Sequence, residues 1–142
     1  MKDYSYSFTT AKPPKDVFDL LLSIEKWWSG IFEETIQGKS SELNDEFSFR
    51  AGGGLHFTKQ QLVELIPDKK IVWLVTESNL SFLSNPKEWE NTKLVFDIDA
   101  TQNETKITFT HQGLEPQIEC YTQCTNAWAQ YLTNLKNKLN GI

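Results

Sequence analysis

Residues 4–9 alternate, with Tyr4, Tyr6 and Phe8 on one side and Ser5, Ser7 and Thr9 on the other. That period of two predicts a half-buried strand. Prolines 13 and 14 break the ladder and suit the first turn of a helix. Val17, Phe18, Leu20, Leu21 and Ile24 then follow at helical spacing, with Asp16 near the positive helix start. Ile24 to Trp28 reads as a second short helix, ended by Ser29-Gly30. A strand-rich middle is predicted near 31–38, 46–50, 54–66, 70–77, 92–100 and 104–111. Gly52-Gly53-Gly54 and Pro67-Asp68-Lys69 supply tight turns, and 78–91 reads as a longer loop. From about Pro116 to Leu139 the positions Ile118, Tyr121, Cys124, Trp128, Leu132, Leu135 and Leu139 recur every three or four residues. They form one apolar stripe on a long helix.

These elements predict an α+β fold, a single domain over residues 1–142. Strands joined by short turns pair antiparallel, and one face of such a sheet must be covered. Only the C-terminal helix is large enough to cover it. A curved sheet of about six or seven strands cannot touch a straight helix along its whole length. The gap between them, closed at one end by the two short helices, is the expected cavity.

Composition narrows the partners. Fourteen basic residues against nineteen acidic ones give a net charge of −5, which disfavours nucleic acid and a polybasic membrane anchor. No apolar run approaches the length of a membrane span. Two cysteines and an N-terminus without an apolar segment make the cytoplasm, with reduced thiols, the default expectation. Five Trp, nine Phe and four Tyr can line a pocket as well as fill a core.

Several segments carry a family resemblance. They are Val17-Phe18 ahead of Trp27-Trp28, then Phe47-Ser48-Phe49-Arg50-Ala51 with its glycines, and Leu62-Val63-Glu64-Leu65-Ile66-Pro67 before Ile71-Val72-Trp73. Thr105–Thr110 with His111-Gln112-Gly113-Leu114, and Trp128, complete the set. The chain resembles the helix-grip fold of START-like (SRPBCC, Bet v 1-like) proteins. Within them it is similar to the branch related to the C-terminal domain of the heat-shock-protein-90 ATPase activator. The resemblance implies mostly lipid or aromatic-ligand binders, stress and resistance proteins, or partners of other proteins. A minority of members are enzymes, and no catalytic motif is shared across the branch.

The expected ligand is therefore a hydrophobic small molecule, lined by Trp28, Phe47, Phe49, Trp73, Phe82, Phe96, His111, Cys124 and Trp128. His111 reads either as a polar group in the pocket or as a strand-end histidine bonded to backbone. Of the adjacent Trp27 and Trp28, helical geometry would turn only one inward. A protein partner or homodimer is the alternative, using an exposed patch of Trp27, Phe32, Leu80, Phe82 and Trp89. A pocket enzyme, the third reading, would need a buried pair such as His111 with Glu77. Glu33, Glu34, Glu42, Asp45 and Glu46 read as a solvated acidic surface, and Glu64 as an outward residue near Lys59 or Lys70. The two histidines and two cysteines are too few to predict a metal site, and no cofactor is expected.

Overall fold

The computed structural model describes residues 4–29, 31, 33–54, 56–81, 84, 86–114 and 121–141. Strand β1 (Tyr4–Thr10) leads into helices α1 (Pro14–Leu22) and α2 (Ile24–Trp27). Strands β2 (Thr35–Gly38), β3 (Glu46–Ala51), β4 (His56–Ile66), β5 (Lys70–Leu80), β6 (Lys93–Ala100) and β7 (Thr105–Gln112) follow, and helix α3 (Tyr121–Leu139) closes the order. They build one seven-stranded sheet in the order β1-β7-β6-β5-β4-β3-β2. Every pairing is antiparallel. This is the helix-grip α+β architecture that the strand pattern predicts.

The two ends of the predicted strands shift for local reasons. The expected strand at 31–38 shortens to Thr35–Gly38, because Glu33 takes a left-handed φ of 55° and the Glu34 carboxylate accepts from the Ile31 amide. β5 runs three residues beyond expectation, to Leu80, because β4 keeps pairing with it as far as His56. The 116–120 part of the predicted helix lies outside the described residues.

Register decides which side chains meet. Cross-strand partners share a face, so Phe47 stands beside Gln60 and Phe49 beside Thr58. Leu94 stands beside His111, and Phe96 beside Phe109. Two register shifts interrupt the β4–β5 pairing, between Lys59 and Gln60 and between Leu62 and Glu64. Bulges increase twist and bend the bulged strand. Here they let Trp73, Val75, Ser78 and Leu80 all be buried despite the change of parity. Glu77 is left exposed, beside Lys59. Glu64 is also exposed, as expected, but Lys59 and Lys70 pair with Glu46 and Asp97 instead.

Trp27 and Trp28 correct the one-in, one-out expectation. Both are buried, with ring centroids 5.7 Å apart and planes 14° apart. Trp28 is the C-cap of α2, at φ −94° and ψ 48°, so the helical angular step no longer separates the two rings. Trp27 satisfies its indole by donating to the Leu21 carbonyl at 3.0 Å.

Gly113, directly after β7, has φ +104°, and a Cβ there would lie 2.6 Å from Thr92 Cγ2. Both the left-handed backbone and the contact require glycine. Gly113→Ala is expected to lower the unfolding free energy by about 2 kcal/mol, read as a lower urea midpoint with unchanged slope. An unchanged midpoint would show that neither the backbone conformation nor the Thr92 contact requires glycine there.

Candidate functional site: an aromatic interior between sheet and helix

Two short helices and α3 cover the inner face of the sheet, and rings fill the contact. Trp28 stacks on Phe49 at 4.5 Å, meets Trp128 of α3 at 5.1 Å and meets Phe47 edge-on at 5.8 Å. Phe47 continues to Trp73 at 6.2 Å, and Trp73 to Phe96 at 5.9 Å. Phe96 reaches Phe109 at 4.9 Å, and Phe109 returns to Trp128 at 4.5 Å. Offset and edge-to-face pairs at these distances each add about 0.5–1.5 kcal/mol beyond their buried area.

His111 sits at the end of this array, fully buried. Trp128 Nε1 donates to His111 Nδ1 at 3.1 Å, which places the imidazole proton on Nε2. That nitrogen is 2.9 Å from Thr92 Oγ1, so it donates there. Thr92 Oγ1 in turn donates to the Trp89 carbonyl at 2.6 Å. The Trp89 ring stands edge-on to His111 at 4.5 Å and lies parallel to Trp128 at 6.0 Å. Both nitrogens of His111 are thus committed to side chains, rather than to backbone or to an open pocket. Burial pushes the imidazole down to about 3, with nearby His56 adding to the effect. Burial likewise lowers His56 to about 4.

The nine expected lining residues fare unevenly. Trp28, Phe47, Phe49, Trp73, Phe96, His111 and Trp128 come together in one continuous array. Phe82 lies outside the described residues. Cys124 is buried one helical turn before Trp128, but it is disulfide-bonded, contrary to the expected reduced thiols. Cys120, the other cysteine of the chain, lies outside the described residues.

Other groups were not on that set. Phe109 shares the face of Ile107 and His111, and Tyr131 lies three residues beyond Trp128, so alternation and helical spacing could have found both. Tyr131 Oη donates to Glu34 Oε2 at 2.5 Å, and burial, then that carboxylate, raises the phenol. Glu34 is therefore engaged with the interior, not simply solvated. Trp89 sits in the irregular connection after β5 and left no periodic signal.

The expected apolar patch does not form as read. Trp27, Leu80 and Trp89 are buried, and Phe32 and Phe82 lie outside the described residues. Among the described residues the exposed large apolar side chains are Leu43 and Ile66. The pair needed by a pocket enzyme is also separated, since His111 points inward while Glu77 is exposed. Among the described residues no three His, Cys, Asp or Glu side chains are grouped to hold a metal ion. None of the described helices is long and apolar enough to cross a membrane. An open groove of about 930 Å³ runs between α1–α2 and the outer side of α3, with Glu25, Lys26, Thr133, Asn137 and Lys138 among its lining.

Residues 11–140 match the family model described as Activator of Hsp90 ATPase homolog 1-like protein. No curated protein matches the chain in sequence. Among solved structures, the Aha1 dimer from Colwellia psychrerythraea is 23% identical with a TM-score of 0.77, covering 99% of this chain and 97% of that one. A protein of Nitrosospira multiformis is 10% identical with a TM-score of 0.74, covering 97% and 96%. One from Chromobacterium violaceum is 15% identical with a TM-score of 0.72, covering 98% of each chain. At these identities the likenesses establish the shared fold.

Proposed function

The chain belongs to the family of Activator of Hsp90 ATPase homolog 1-like proteins, and on that footing we propose that it binds an apolar or aromatic small molecule between the sheet and α3. The observation that carries this reading is the aromatic array itself. Rings from the end of α2 and from β3, β5, β6, β7 and α3 meet in one continuous array. A flat guest entering there exchanges ring–ring contacts for ring–guest contacts of the same kind, so affinity comes from stacking and burial. Because the rings already touch, the guest must part them, which favours flat molecules over bulky ones.

The test is a panel of polycyclic aromatics and lipids, followed by thermal shift and intrinsic Trp fluorescence. A ligand at about one hundred times its Kd is expected to add about 2.7 kcal/mol of stability, with a matching change in Trp emission. No stabilisation and no emission change across the whole panel would overturn the reading. The Colwellia structure is described as a dimer, and a second copy of this chain is the protein partner which that likeness favours.

A further inference from the structure

Gln60 has no counterpart elsewhere in the described interior. It lies on β4, beside Phe47 of β3 and Val75 of β5, and its side chain is fully buried. Its Nε2 donates to Thr58 Oγ1 at 2.5 Å. Its Oε1 accepts no hydrogen bond, the one buried side-chain polar atom among the described residues left in that state. Neighbouring polar groups do not share the fault. Ser78 Oγ donates to the Pro86 carbonyl at 3.1 Å, Trp73 Nε1 donates to Ser40 Oγ at 2.8 Å, and both His111 nitrogens are paired.

An unpaired acceptor inside an aromatic core is destabilising, and an aliphatic side chain of similar volume would fit the same place without it. The local pattern sharpens the point. On β4 the apolar Phe57 points to the outer face, where the Arg50 guanidinium lies 4.9 Å from its ring centroid. The polar Thr58 and Gln60 point inward. Leu62 completes that inward set, while Lys59 and Gln61 alternate with it on the outer face. Around it, the buried polar side chains among the described residues are Ser, Thr, Gln and His, with no Asp, Glu, Lys or Arg. An anionic guest would be desolvated there without a counter-charge, and the nearby carboxylate of Glu34 already accepts from Tyr131.

We propose that Gln60 Oε1 is the recognition point for the guest, which is a neutral, flat molecule carrying one N–H or O–H donor. The proposal rests on the small-molecule reading above and specifies its ligand class. The guest stacks in the ring array and donates its hydrogen bond to the free amide oxygen. Burial then supplies affinity and Gln60 supplies orientation and selectivity.

Four naphthalene probes separate the possibilities: 1-naphthol, 1-methoxynaphthalene, naphthalene and 1-naphthoate, titrated into the full chain and into Gln60→Met with Trp fluorescence as readout. In the native chain 1-naphthol is expected to bind about tenfold more tightly than 1-methoxynaphthalene, the worth of one neutral hydrogen bond, and 1-naphthoate most weakly. In Gln60→Met the naphthol advantage is expected to vanish, while naphthalene binds as in the native chain and urea unfolding stays cooperative. If naphthol and methoxynaphthalene bind the native chain equally, or if the preference survives in Gln60→Met, Gln60 is not the recognition point, although the site still takes aromatics. If naphthoate binds best, the neutral-ligand assignment fails. If none of the four binds, this proposal fails, and the wider panel of polycyclics and lipids decides the small-molecule reading.

Discussion

Acidification from pH 7.5 to pH 5 is expected to remove about 2 kcal/mol of folding free energy through His111 alone. In the unfolded chain the imidazole takes its proton near its ordinary value of 6.5, whereas in the folded chain it does so at about 3. Between those limits the unfolded state binds more protons, so stability rises with pH. The contribution is fully present above about 6.5 and is lost progressively as the pH falls towards 3. His56, lowered to about 4, loses a similar amount over a narrower window. Domains of this size have only about 5–15 kcal/mol in total, so the two losses together remove a large share of the chain's stability by pH 5. Urea unfolding at pH 7.5 and pH 5 on the native chain and on His111→Gln isolates the effect. Glutamine keeps hydrogen-bonding groups but cannot titrate, so the acid loss should shrink by about half. An identical loss in His111→Gln would show that His111 is not buried as a neutral group.

Truncation at Trp128 is expected to be among the most damaging single changes. Trp128 packs against Trp28, Phe109 and Trp89, and its indole N–H satisfies His111 Nδ1. Trp128→Ala leaves a cavity with a transfer loss and should cost about 3–5 kcal/mol. Trp128→Phe keeps most of the ring but strands the His111 acceptor, and should cost about 1–3 kcal/mol. Equilibrium unfolding of the two variants at pH 7.5 separates packing from hydrogen bonding. A cost below about 1 kcal/mol for Trp128→Ala would mean that α3 is not clamped to the sheet by this ring.

Architecture was legible because the strands and the last helix have strict periods. Phe47 and Phe49, and Leu94 and Phe96, sit two apart, and Ile107, Phe109 and His111 follow the same alternation, so each set shares a face and their meeting beneath α3 followed from alternation. What remained hidden arises where the period breaks. Trp28 joined Trp27 in the core because the chain leaves helical geometry at that residue. Trp89 plugs one end of the array from an irregular connection. Gln60 was hidden for the opposite reason: it follows the period, but β4 carries polar residues on both faces, so hydrophobicity does not mark the inner one. Phe57, Lys59 and Gln61 look no less plausible as an inner set until register with Phe47 and Phe49 is known. His111 was read in two ways, and the structure takes neither, since Trp128 and Thr92 hold it.

The most direct measurement is a titration of the ¹⁵N-labelled protein with 1-naphthol, following the indole N–H resonances. The buried indoles of Trp28, Trp73 and Trp128 should shift together and saturate with one midpoint, while the amides of Glu25, Thr133 and Lys138 along the outer groove stay in place. Saturable shifts confined to that outer groove, with the three indoles unmoved, would contradict a binding site between the sheet and α3.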